Sequence, residues 1–213
     1  MAENKLDVTS TALEKSIDLV KGFIERIAGS SLDEAGLIFG GNLRVRRLKN
    51  EIKIWSEVQK IAAENNLSVK QLNLKLLVPL LDLSSLEEDV KLQKRWSNLI
   101  LNFIDSKSTF DNAVYPYILS QLSTKEVLAL EEFSGWTYIP FHEMKISKAE
   151  ASNLIRLGLV EKQVPKASIK SQPSLSKRDR QIVVYDNEQI HTITELGKEF
   201  IQCCSAINSS ETK

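Results

Sequence analysis

Three acids in a row, Glu87, Glu88 and Asp89, are the side chains in this sequence best arranged for chemistry. Neighbouring carboxylates can share a proton in acid–base catalysis or hold a divalent cation. Two other candidates stand apart from them. Cys203 and Cys204 could serve as a nucleophile or a thiolate pair and His191 as a base, while His142 has no visible partner. Each needs partners that the sequence does not bring near. Both histidines are remote from the acids, so no zinc-type ligand spacing forms. A glycine-rich nucleophile turn, a phosphate loop and a His–Glu metal motif are all missing from the sequence. A disulfide between adjacent cysteines would be strained, so the thiols are expected reduced and the protein cytoplasmic.

A local explanation of the acids is stronger. Ser84 and Ser85 each precede an acid by three residues, Glu87 and Glu88, which is capping-box spacing, and the helix dipole favours negative charge in a first turn. Leu86, Val90, Trp96, Leu99, Ile100 and Phe103 would then line one apolar face, with Trp96 in the core. Ser84, Glu87, Glu88, Trp96 and Asn98 are accordingly assigned structural roles. No catalytic residue, metal or cofactor is expected.

Those residues sit in a chain of 213 residues, 42% hydrophobic and 26% charged, with 28 bases against 28 acids. Such a composition supports one large core or two small ones, and zero net charge leaves any polyanion binding to local patches. The apolar run LKLLVPLLDL is too short to span a bilayer, and MAENKLDVTS lacks the layout of a signal peptide.

Helical periodicity fills the first 120 residues. Leu13, Ile17, Val20, Phe23, Ile24 and Ile27 form one stripe. Ser31 and Glu34 are in capping-box register, and Gly40-Gly41 would interrupt the helix that follows. Val45, Leu48, Ile52 and Trp55 form the next seam, continued by Val58, Ile61 and Ala62, with a stop at Asn65-Asn66. QLNLKLLVPLLDL alternates like a strand at Leu72, Leu74 and Leu76, but Leu76, Leu77, Leu80 and Leu81 favour a helix kinked near Pro79. A further helix runs from the acids to about Asp105.

Beyond the loop SKSTFDNAVYP the pattern changes. One helix is expected from Ser123 and another over SKAEASNLIRLGLVEK, ending near Gly158, which suits a left-handed residue. Polar sequence from Val164 to Arg180, short strands at IVVY and QIHTIT, and a last helix at TELGKEFIQCCSAI complete the chain. The expected fold is mainly α, an N-terminal helical bundle followed by a C-terminal winged-helix-like α+β unit. Its divisions are an amphipathic helix over 1–29, a helical core over 30–120, the winged-helix-like unit over 121–206 and a disordered tail over 207–213.

Two surfaces could bind. RVRRLKNEIK carries Arg44, Arg46, Arg47, Lys49 and Lys53, and Arg46, Lys49, Lys53 and Lys60 recur at helical spacing opposite the apolar seam. Such a stripe could contact phosphate, lipid headgroups or an acidic protein; the plainer alternative is a solvated face with pairs such as Arg47–Glu51. The second surface joins Lys148, Asn153 and Arg156 to Lys177, Arg178 and Arg180 near the wing. These would face nucleic acid in a winged helix, although Glu150 and Glu161 oppose it, and many such units bind proteins instead.

The stretch LLVPLLDLSSLEEDVKLQKRWSNLI, with LDEAGLIFGGNLRVRRLKNEIKI before it and LSTKEVLALEEF and NLIRLGLVEK after it, resembles the bacterial Abi-alpha (abortive infection alpha) family. The resemblance runs from about Ser30 to Phe200. It is carried by Gly36, Arg44, Lys49, Asn50, Pro79, Leu86, Glu87, Trp96, Asn98 and Leu99, with Leu122-Ser123 and Leu157-Gly158-Leu159. Ser97 stands where Ala is usual, and the wing-like loop is long. The resemblance implies a part in antiphage defence, in which an infected cell is arrested or sacrificed, and it brings no catalytic motif. A protein partner is expected: a phage component, a host target or a companion defence protein. DNA contact through the winged-helix-like unit is the alternative, as in a transcription regulator. A homo-oligomer fits either. Membrane association is not expected, because the first helix mixes Glu14, Asp18 and Glu25 with Lys15, Lys21 and Arg26 on its polar face.

Overall fold

The computed structural model describes residues 3–29, 45–136, 139–163, 168–170, 182–184 and 190–207. The expected cap at Ser31/Glu34, the break at Gly40-Gly41 and the tail NSSETK lie outside them. The described chain is mainly helical with a small antiparallel sheet, and it divides into two compact units: Met1–Thr124 with Gln202–Lys213, and Lys125–Ile201.

Among the described residues of the first unit the regular elements are helices, with one isolated antiparallel bridge between Val69 and Asp105. Helix α1 (Glu3–Ala28) buries Val20, Phe23, Ile24 and Ile27, a run at helical spacing. It ends at Gly29, whose φ of 61° is the left-handed value glycine adopts without strain. Helix α2 (Val45–Glu64) buries Ile52, Ile54, Trp55, Val58 and Ala62. Its stop is the expected Asn65-Asn66. Asn66 takes φ 50°, its N–H reaches Ala63 O at 3.1 Å, and the Leu67 N–H reaches Ala62 O at 2.9 Å. Both bonds of a Schellman ending are present, with Asn in the left-handed position.

Helix α3 (Leu74–Ser84) resolves the ambiguous leucine run in favour of helix. The Asn73 side chain caps it, accepting from the Leu76 N–H at 3.1 Å, and Leu76, Leu77, Pro79, Leu80 and Leu81 are buried. Burial of four leucines outweighs the bond lost at Pro79, each buried leucine contributing about 2 kcal/mol.

Helix α4 (Val90–Ile104) corrects the reading of the acids. Its N-cap is Asp89, whose carboxylate accepts from the Lys91 N–H at 2.8 Å and the Leu92 N–H at 3.1 Å. Ser84 and Ser85 form no box with Glu87 and Glu88. They finish α3 instead, their hydroxyls turned back to Leu81 O at 3.4 Å and Asp82 O at 2.6 Å. Leu86 and Val90 leave the apolar face too, at 57% and 66% exposure, whereas Trp96, Leu99, Ile100 and Phe103 are fully buried as expected. Asp89 wins because the helix must start where Leu92, Trp96, Leu99 and Phe103 all turn inward.

Helix α2 packs on α1, α3 and α4, with the wholly buried Trp55 and Trp96 in this core. Helix α5 (Tyr115–Leu119) lies in part of what reads as a loop and packs against α3, with Tyr115 stacked 6.3 Å from Phe103. Asn98 donates to Cys204 O at 3.0 Å and Asn102 to Cys203 O at 2.9 Å, which gives Asn98 a structural role.

In the second unit, α6 (Thr124–Glu132) is followed by strand β1 (Ile139–Pro140), a 3-10 turn at Phe141–Met144 and helix α7 (Lys148–Arg156). Ser147 and Glu150 close a full capping box at the start of α7. Gly158, at φ 74°, ends it as expected, with the Gly158 N–H on Ile155 O and the Leu159 N–H on Leu154 O. Strands β2 (Val160–Gln163), β3 (Ser168–Lys170), β4 (Ile182–Val184) and β5 (Ile190–Ile193) precede α8 (Glu195–Cys203). The sheet order is β1-β5-β2, all antiparallel, and β3 pairs with β4. Of these strands only β4 and β5 coincide with expected ones. Thr194 caps α8, accepting from the Gly197 N–H at 3.0 Å while donating to Gly158 O at 2.6 Å. Gly197 is required there, since a Cβ would stand 2.2 Å from Leu159 O.

Candidate functional site

The most concentrated polar chemistry lies where the first half of α2 meets the end of α3 and the start of α4. Arg47 reaches α3, donating to the Asp82 carboxylate, to Asp82 O at 3.2 Å and to Ser85 Oγ at 3.0 Å. One turn on, Asn50 donates to Ser85 O at 3.2 Å. Gln93 on α4 donates to Glu87 O at 2.8 Å and meets Asn50 Oδ1 at 3.5 Å. Side chains thus tie the first half of α2 to the end of α3 and the segment leading into α4.

Glu51 lies in the same region, only 2% exposed, and no described hydrogen bond reaches its carboxylate. Burial pushes its pKa from 4.5 up to about 7; Arg47 opposes the rise and Asp82 adds to it. Arg47 is therefore not committed to the expected i,i+4 pair with Glu51. It bonds to Asp82, and its charge also acts on Glu51. Neither Asp82 nor Glu51 stands out in the sequence by type. A signal for Glu51 exists all the same: it falls three residues after Leu48 and four before Trp55, on the apolar seam, where an acid must be buried.

The expected acid cluster does not converge. Glu87 accepts the Asp89 N–H at 2.9 Å, Glu88 is exposed, and Asp89 is held below the usual carboxylate range by the Leu92 and Lys91 N–H groups. Among the described residues no group of three His, Cys, Asp or Glu side chains could hold a metal ion. Cys203 and Cys204 are buried and free of a disulfide; burial, with Cys204 adding to it, pushes the Cys203 thiol far above its ordinary range. His142, without a visible partner in the sequence, has Nε2 at 3.3 Å from Glu143, and His191 is buried with its ring 5.9 Å from Phe141.

Of the basic stripe, Lys49 and Lys53 are exposed on α2, Arg46 lies on the same helix and Arg44 lies outside the described residues. Lys60 meets Glu64 at 4.0 Å. In the second unit Lys148 is exposed at the start of α7. Asn153 donates to the buried Glu126 at 2.7 Å and accepts from Arg156 at 2.7 and 3.2 Å, so this arginine is braced on the surface of α7. Lys177, Arg178 and Arg180 lie outside the described residues.

Residues 42–151, just over half of the chain, match the family model described as abortive infection alpha. The chain belongs to the abortive infection alpha family. The match contains the whole of α2 through α7 to Ala151, and so the Arg47–Glu51–Asp82 cluster, Asp89 and Trp96. Gly36 and the turn at Leu157-Gly158-Leu159 fall outside it. No curated protein and no solved structure matches the chain. Among the described residues no helix is long and apolar enough to cross a membrane.

Proposed function

We propose that this abortive infection alpha protein acts in antiphage defence, in the bacterial cytoplasm, by binding a protein partner rather than by catalysis. The observation that carries the reading is the division of labour on α2 inside the family match. Arg47 and Asn50 are engaged with Ser85 at the end of α3, while Lys49 and Lys53 remain outside as an exposed basic edge. An acidic surface on a phage component, a host target or a companion defence protein would complement that edge. The test is expression in a sensitive host, with and without neighbouring defence genes, followed by challenge with a phage panel. Reduced plaque counts or early culture collapse that depend on Lys49 and Lys53 support the reading; protection that survives loss of both lysines overturns it.

A second reading has its own support. Helix, strand, turn, helix, then strands pairing antiparallel across a long connection is compatible with a winged-helix-like unit, and Arg156 is braced on its second helix. As a DNA-binding regulator, the chain would bind duplex with an affinity falling steeply with salt and lost in Arg156→Ala. Exposed Ile155 beside Arg156, and the acids Glu150 and Glu161, fit a protein surface better. Absence of binding to genomic fragments at low salt removes the DNA reading.

A further inference from the structure

Arg47 directs its described bonds away from its own helix, to the Asp82 carboxylate, Asp82 O and Ser85 Oγ. Glu51, one turn along α2 and 2% exposed, receives none of them. One guanidinium therefore stands within electrostatic reach of two carboxylates and is hydrogen-bonded to the outer one. The charge of Arg47 favours ionisation of Glu51 and that of Asp82 opposes it. Glu87, just ahead of α4, has its carboxylate on the Asp89 N–H.

An ionised carboxylate buried without hydrogen-bond donors is strongly disfavoured, and it finds relief from a proton or from a cation. The cation at hand is Arg47, at the i,i+4 spacing that lets the two side chains meet. Arg47 would give up its pair with Asp82, 32% and 61% exposed on the two sides and so weakened by solvent, together with its bonds to Asp82 O and Ser85 Oγ. The buried charge outweighs the exposed pair.

We propose that Glu51 operates a proton-controlled latch between α2 and α3: protonated, it leaves Arg47 on Asp82 and Ser85, and ionised, it draws the guanidinium along α2 and releases the end of α3. No covalent step is involved, only one proton exchanged with water. This regulation goes beyond the binding role, and neither depends on the other.

The test is a carboxyl-carbon and amide NMR titration of the full chain between pH 5 and 8.5. The Glu51 carboxyl is expected to titrate with a midpoint near pH 7, and Arg47 Nε and the Ser85 and Leu86 amides to shift with the same midpoint. Asp82→Asn should lower that midpoint, because it removes the charge that opposes ionisation of Glu51. Glu51→Gln should abolish the shifts at Arg47 and Ser85. A Glu51 midpoint below about 5, the range of an ordinary carboxyl, overturns the proposal. So does a midpoint near 7 with Arg47 and Ser85 silent. The wild-type measurement decides even if a variant fails to fold.

Discussion

The Arg47 guanidinium joins the Asp82 carboxylate across 35 residues of sequence, fastening the first half of α2 to the last turn of α3. The partners are unequal. Arg47 also holds Ser85 Oγ and Asp82 O and acts electrostatically on the buried Glu51, whereas Asp82 is largely in water. Arg47→Ala should therefore cost about 1–3 kcal/mol in urea unfolding, and Asp82→Ala less than about 1 kcal/mol. Equal losses from the two variants would show that the ion pair alone matters.

Glu51 makes stability depend on pH in a direction opposite to that of most acids. Its folded-state pKa, about 7, lies above its ordinary 4.5, so the folded chain binds the extra proton between those values. The contribution is fully present below about pH 4.5 and is lost as pH rises through about 7. Glu51→Gln, which keeps the shape of the protonated acid, should raise stability above pH 7 by roughly 2–4 kcal/mol and change little near pH 4.5. Urea midpoints across that range, wild type against variant, give the answer; parallel curves would mean that Glu51 is ionised and paired in the folded state.

The N-cap of α4 can be separated from its acidic neighbours by single substitutions. Asp89→Ala removes the acceptor of two N–H groups, Glu87→Ala the acceptor of one, and Glu88→Ala none that is described. Thermal midpoints should fall in that order, with Asp89→Ala lowest and Glu88→Ala close to wild type. The Asp89 carboxyl is held below its ordinary value, so its contribution is present at neutral pH and fades under acid, and the gap to wild type should narrow there. A larger fall for Glu88→Ala would restore the capping box at Ser85.

Trp96 separates packing from polar function. It is fully buried, and among the described residues its Nε1 has no hydrogen-bond partner. Trp96→Ala should cost about 3–5 kcal/mol through the cavity it leaves. Trp96→Phe, which gives up volume but no hydrogen bond, should cost roughly 1–2 kcal/mol. If Trp96→Phe proved as damaging as Trp96→Ala by chemical denaturation, the indole N–H would have to be serving a partner.

What the sequence discloses is what local chemistry decides. The Val20–Ile27 part of the α1 stripe, the stop at Asn66 and the end of α7 at Gly158 follow from periods of three and four and from left-handed caps, and all three are observed; Ile17 is only half-buried. The start of α4 is ambiguous in the sequence because three consecutive acids offer nearly the same capping pattern. Only the register that buries Leu92 and Trp96 together chooses Asp89. Strands β1 to β3, two to four residues long, are too short for alternation to register. The Arg47–Asp82 tie is non-local, and no spacing rule reaches across 35 residues.

The exposed edge of α2 offers the most direct functional test. Lys49 and Lys53 are exposed in a helix that is otherwise well anchored by Ile52, Trp55 and Val58, so replacing both with Ala should change stability by no more than about 0.5 kcal/mol each. Any effect on defence would then come from the surface and not from unfolding. If an acidic partner docks there, the double variant should bind more weakly, chiefly through slower association, and the wild-type affinity should fall with added salt while that of the variant falls less. Plaque counts in cells carrying the double variant, at protein levels matched by immunoblot, should rise toward those of cells lacking the gene. Full protection by a stable, well-expressed double variant would overturn the reading that a partner binds this edge of α2.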